Sequence, residues 1–289
     1  MQRDRMARLG TMTLATTPRE TSGGLVYRQR LATRVTHWLW AISLFFLLLS
    51  GLQIFMARPD LYIGQQSGFQ FDNAVLSIDA VQNADGSLSG VTDLFGHRFD
   101  TTGWLGVVET ASGPTPRAFP TWATIPSYRD LGSGRVVHFF FAWLLVGTLA
   151  LWLVASLANG HLRRDLLPGR ADFRDLPRDI RRHLRLRFEH RREYNTLQKL
   201  SYVAVLLVAL PLMIATGLSM SPGFNAFAPW LLDVFGGRQT ARTIHFLAML
   251  FLVAFFVVHV LMVVLAGPFN ELRSIVTGWY RTRPEASDA

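Results

Sequence analysis

The chain has 289 residues, 50% hydrophobic and 12% aromatic, with a formal net charge of +9 and no cysteine. Without cysteine it has no disulfide framework, no thiolate-held iron–sulfur cluster and no C-x-x-C-H attachment for c-type haem. A basic balance in a soluble protein would point to nucleic acid, but the placement of these arginines indicates a different surface, and no nucleic-acid partner is expected.

The first 25 residues are rich in Thr and Arg and lack an apolar core, which predicts a disordered cytoplasmic leader and no cleaved signal peptide. Beyond them, residues 35–57, 136–162, 200–232 and 243–270 contain no Asp, Glu, Lys or Arg. Each stretch exceeds the ~20 residues that a helix needs to cross the hydrocarbon core. Lipid offers backbone groups no partners, so each must be helical. These stretches predict an all-α integral membrane protein, a four-transmembrane-helix bundle with spans near 36–57, 136–158, 198–220 and 243–267. A long extracytoplasmic loop, 58–135, joins helices 1 and 2, and a short tail, 281–289, follows the membrane domain of 26–280.

Charge orients the bundle. Seven Arg precede residue 35, eleven lie in 159–196 and three follow 268, whereas 58–135 holds five Arg against eight acids. By the positive-inside pattern both termini and the Arg-rich second connection are cytoplasmic. The run RRHLRLRFEHRR (181–192) is expected to lie against anionic lipid as a topology signal. In the outside loop, AVLSIDAVQNADGSLSGVTDL places two β-prone runs around a polar turn, a hairpin pattern. SPGFNAFAPWLLDVFGG (221–237) ends the third span and predicts a short interfacial helix with Trp230 at headgroup level.

Of eight histidines, His97, His161, His183 and His190 fall in connections and are expected to be solvated, while His37, His138, His245 and His259 fall in the spans. Ionisable groups inside a membrane are costly and mark function. Fourteen residues separate His245 from His259; at 100° per residue they share a face, and at 1.5 Å per residue they lie ~21 Å apart. They cannot bind one ion, but they can serve two centres stacked across a core ~30 Å thick. Matching depths across the predicted topology pairs His138 with His245 at the outer side and His37 with His259 at the inner side. His37 is shallow for its partner, so the first helix is expected to begin earlier or to tilt. Facing imidazoles suit a six-coordinate haem iron with the porphyrin filling the bundle core. Zinc wants three or four protein ligands and fits poorly. Two non-covalent b haems are therefore expected. Arg34, Arg135 and Arg242 each stand three residues before a histidine, one turn nearer the water, where a forked guanidinium can bind a haem propionate. His259 has Phe256 at that place.

Arg34-Val-Thr-His37-Trp38, Arg135-Val-Val-His138-Phe139 and the His245–His259 spacing resemble the di-haem cytochrome b family of bacterial cytochromes b-561. That family supplies the membrane subunits of nickel–iron hydrogenases, formate dehydrogenase-N and thiosulfate reductase. YNTLQKLSY (194–202) and Thr216-Gly217-Leu218 look like the family's third helix. The resemblance covers roughly 26–280, apart from most of the long loop, which is closer in character to members serving molybdopterin oxidoreductases. It implies a multi-pass protein of the bacterial cytoplasmic (inner) membrane, passing electrons between a periplasmic redox enzyme, on this likeness molybdopterin-dependent, and the quinone pool. It also implies a quinone site near Asn195, Gln198 and Lys199, at the cytoplasmic start of the third span. Two other classes remain open at this stage. One is a transporter whose histidines bind a transition metal or relay protons; the other is a structural anchor whose histidines only hydrogen-bond between helices.

Overall fold

The computed structural model describes residues 24–68, 73–160, 162–184 and 196–282. The expected leader lies almost wholly outside them, as do Asn195, His161, His190, most of the 181–192 run and the tail beyond 282. In chain order, β1 (Leu25–Tyr27) precedes α1 (Leu31–Phe55), and the first connection carries β2 (Asp60–Tyr62), β3 (Ala74–Gln82), β4 (Leu88–Leu94), β5 (His97–Asp100), β6 (Val107–Thr110) and β7 (Gly113–Pro116). Then come α2 (Leu131–Ala158), α3 (Arg170–Leu184) and α4 (Thr196–Met220). The chain closes with α5 (Pro222–Phe227), α6 (Trp230–Val234), α7 (Arg238–Ala266), α8 (Pro268–Thr277) and β8 (Trp279–Arg281).

The helices α1, α2, α4 and α7 are long and apolar enough to cross a membrane. All four start earlier than the uncharged runs suggest, at Leu31, Leu131, Thr196 and Arg238. His37 thus lies six residues into α1. Asp130 begins α2 as an N-cap, accepting from the Ser133 amide at 3.0 Å, which satisfies one of the orphan donors of the first turn. Within α4, residues Val203–Ala209 widen into a π-helical stretch, and the Leu210 amide donates back to the Val205 carbonyl. Pro211 follows at once; it has no N–H and its ring crowds the preceding turn, which a wider turn relieves.

The described chain divides into a small unit, the segments up to Arg34 and from Gly267 onward, and a large one, Val35–Ala266. In the small unit β1 pairs antiparallel with β8, Val26 opposite Tyr280. Tyr27 packs edge-on against Trp279 at 5.3 Å, and Arg28 bridges Glu271 at 3.5 Å. Gly278 is required there: its φ is +91°, and a Cβ would meet the Tyr27 ring at 2.5 Å.

In the large unit the first connection is more than a hairpin. The β3–β4 pair forms around the polar turn, Gln82 opposite Leu88, and β2 and β5 extend it into an antiparallel sheet ordered β2-β3-β4-β5, with β6–β7 as a separate ladder. Phe55 and Met56 at the end of α1 pack with Leu61, Ile78, Ala118, Phe119 and Ala123 of the connection, and Phe246 of α7 joins them. Polar contacts tie the same parts. Thr243 donates to the Tyr62 carbonyl at 2.7 Å, the Gly64 amide donates to Thr240 at 2.6 Å, and Arg242 donates to the Arg58 carbonyl. Deeper in the bundle all four spans meet in a second apolar layer, with Leu145, Leu149, Val205 and Leu210 packed against Trp40, Leu47, Leu252 and Phe255.

Candidate functional site

The four span histidines form two pairs, one on each side of that apolar layer. His37 and His259 face each other with ring centroids 6.4 Å apart and planes tilted by 51°. Imidazole–metal bonds of about 2.0–2.1 Å and a ring radius of about 1.1 Å would place two coaxial axial ligands with centroids roughly 6.3 Å apart. The observed 6.4 Å matches that separation. His138 and His245 lie within electrostatic reach of each other near the loop-bearing end of the bundle. Among the described residues no three His, Asp or Glu side chains converge on a point. That donor set suits a two-ligand iron far better than tetrahedral zinc.

The loop-end pair has further built features. Ser50 on α1 meets His138 Nδ1 at 3.1 Å, and Thr216 on α4 meets His245 Nδ1 at 2.9 Å. Each hydroxyl has already committed its only proton to its own helix, Ser50 to the Phe46 carbonyl at 2.5 Å and Thr216 to the Leu212 carbonyl at 2.7 Å. With their protons given there the oxygens accept, an arrangement that would put each ring proton on Nδ1 and leave the Nε2 lone pair for a metal. The carbonyls of Leu47 and Met213 face the same two rings. A glycine follows each hydroxyl. A methyl at Gly51 would stand 3.3 Å from His138 Cε1, and one at Gly217 would stand 3.4 Å from His245 Cε1. Two Ser/Thr-Gly steps on facing helices therefore hold the two rings, the hydroxyl at Nδ1 and the bare backbone at the ring edge.

The opposite pair lacks this support. His37 Nδ1 is buried without a hydrogen-bond partner among the described residues. Its neighbours are aromatic: Trp38 edge-on at 5.4 Å, and Phe255 stacked on His259 at 5.8 Å.

The remaining expected site residues divide. Arg135 is exposed, its guanidinium 5.7 Å from the Phe139 ring. Arg242 is engaged at the end of α1, donating to Arg58 and lying 5.0 Å over Phe55. In the small unit Arg34 reaches against Gly278, with its Nε buried and unpartnered. Lys199 binds both carboxylate oxygens of Asp172 at 3.0 Å. Gln198 is exposed, and Asn195 lies outside the described residues. Of the connection histidines, His97 is exposed on β5. Ser50 and Gly51 were not legible as site residues, since a Ser-Gly step in an apolar run is also what close helix packing uses.

The family model described as prokaryotic cytochrome b561 matches residues 28–278. A protein of Azospira oryzae named "Putative protein-methionine-sulfoxide reductase subunit YedZ1" is 29% identical over 166 residues, 57% of this chain and 79% of that protein. With a family model matched over most of its length and four helices apolar enough to span a membrane, the chain belongs to the prokaryotic cytochrome b561 family and is a bacterial membrane cytochrome b of electron transfer.

Proposed function

We propose that the chain carries electrons across the cytoplasmic membrane through two b haems, between a periplasmic oxidoreductase and the quinone pool. The observation that carries this reading is the pair of histidine pairs at two depths, His138 with His245 and His37 with His259, on either side of an apolar layer. Haem supplies the one-electron chemistry when bound; the protein supplies axial ligands, orientation and a dry interior. His138 and His245 would hold the outer haem, and His37 and His259 the inner one. Arg34 and Arg135 remain candidates for propionates, while Arg242 would have to share its guanidinium with the end of α1.

By the positive-inside pattern, the Arg-rich second connection and termini support a cytoplasmic position for the His37–His259 end. Quinone would approach there, beside Asn195 and Gln198. Lys199, paired with Asp172, would take part only by leaving that carboxylate. The relative's name, a reductase subunit, supports a redox enzyme as partner; a periplasmic molybdopterin enzyme remains the class proposed. The cytochrome b561 family match favours this reading over a transporter of metal ions or protons.

The test is haem content with its dependence on each ligand. Purified protein should carry two haems b per chain. His245→Leu should remove one and His259→Leu the other, each with about half of the reduced-minus-oxidised amplitude retained. One haem per chain in the wild type, or loss of both in either variant, would sink the reading.

A further inference from the structure

The two pairs differ in what stands behind their rings, and the difference has a consequence for redox potential. We infer that Ser50 and Thr216 are positioning residues that hold the outer ligands as Nδ1–H tautomers and make the outer haem the lower-potential centre. The inference rests on the two-haem reading above.

A ring that donates from Nδ1–H becomes a more basic ligand through Nε2. A more basic ligand favours ferric over ferrous iron, because the oxidised ion gains more from added electron density. Both outer ligands have this support, from Ser50 at 3.1 Å and Thr216 at 2.9 Å, and both hydroxyls are fully buried. At the inner site His37 Nδ1 is buried with no acceptor. His37 is then the weaker donor, and its iron is the easier to reduce. Single-electron transfer from the outer to the inner centre would run downhill, toward quinone reduction. The geometry also makes the effect local: Ser50 and Thr216 sit on α1 and α4, each bonded to one outer ring, and neither is bonded to His37 or His259.

Thr216→Val is the sharpest probe. It keeps the volume, removes the hydroxyl, and leaves His245 only the Met213 carbonyl. Redox titration of the purified holoprotein, followed optically and by low-temperature EPR of the ferric state, reads the two centres separately. Loss of an outer-sphere partner typically changes metal binding ~10–100-fold. A tenfold change in the ferric-over-ferrous preference corresponds to an upward shift of ~59 mV for one electron. The expected result is such a rise for the outer haem alone, a shifted outer EPR signal, and an unchanged inner haem. Ser50→Ala should act in the same direction through His138, and Thr216→Ser, which restores the hydroxyl, should return the wild-type value. If Thr216→Val loses the outer haem altogether while Thr216→Ser keeps it at its wild-type potential, the positioning role also stands. An unchanged outer potential, an equal shift of both haems, or a wild-type outer haem above the inner one would overturn the inference. A wild type holding fewer than two haems would instead overturn the reading on which it rests.

Discussion

The two ends of the bundle handle the same ligand in opposite ways. At the loop end each imidazole is gripped by a hydroxyl and a glycine, and a β-rich connection seals the helix tips with Phe55, Phe119 and Phe246. At the other end His37 is half-buried, its Nδ1 is without a partner among the described residues, and its surroundings are aromatic. Helix geometry alone can thus bring two histidines together, as it brings His37 and His259 to 6.4 Å. Fixing tautomer and ring angle takes extra residues from helices that carry no ligand at that level.

The largest break in this comparison is to delete ligands one end at a time. His138→Leu should empty the outer site as completely as His245→Leu does, and His37→Leu should leave the outer site intact. Haem-to-protein ratios and spectra check this, and a variant at one end that empties both sites would show that the ends are not independent.

Next in size is the glycine behind the outer ring. Gly51 leaves 3.3 Å between an added Cβ and His138 Cε1. Alanine would be met by a shift of a few tenths of an ångström, but the branched methyls of valine would enter the ring itself. Overpacking of this kind costs ~1–3 kcal/mol. Gly51→Val should therefore weaken outer haem retention at least tenfold. Gly147→Val, on α2 where an added Cβ meets nothing within 4 Å, should leave both haems in place. Equal behaviour of the two variants in a haem-release assay would remove the glycine from the site.

The sequence shows the ligands but not this grip, for a physical reason. Uncharged runs and a fourteen-residue repeat are properties of single helices, so the spans and the shared face of His245 and His259 could be read along the chain. That Ser50 meets His138 depends on how α1 turns against α2, which no single-helix period encodes. Arg242 shows the same limit. Its place three residues before His245 suggests an anion, yet folding gives it the carbonyl of Arg58, an acceptor 184 positions away. In the connection the nine-residue β3 and seven-residue β4 stand out by their alternation around a turn. The three-residue β2 is too short to do so and is set by its neighbours.

A third, smaller effect concerns what seals the loop end. Arg117 is buried in the connection, donating to the Phe119 carbonyl at 2.8 Å and to Thr124 at 2.6 Å. Burial, and then the nearby Arg129, push its pKa below the ordinary arginine value. Arg117→Met would leave two buried acceptors unpaired, each hydrogen bond to a charged group being worth ~1.5–3 kcal/mol. Limited proteolysis should cut within 58–130 markedly faster than in the wild type, with both haems retained. Unaltered proteolysis would mean that the apolar cluster alone closes this end.

The smallest effect belongs to the opposite end, where an ion pair does the work that aromatic packing does elsewhere. Asp172 on α3 takes both contacts from Lys199 at the start of α4, and the Asp172 carbonyl accepts from Thr196 at 3.1 Å. Burial pulls the Asp172 pKa upward, but the Gly169 amide and Lys199 more than offset it and hold it below the usual carboxylate value. A depressed folded pKa means that this carboxylate stabilises the fold above its unfolded pKa of ~3.9 and ceases to do so as pH falls through the folded value. Asp172→Asn should then cost ~1 kcal/mol at neutral pH, a figure kept low because the pair is partly exposed. The cost should shrink as pH falls past the unfolded pKa and vanish once it is below the folded one, where the wild type has also lost its charge. Thermal melts of the holoprotein across that range test the sign. A cost that persists unchanged into acid would assign the contact to packing, and the two ends would then differ in geometry but not in how charge holds them.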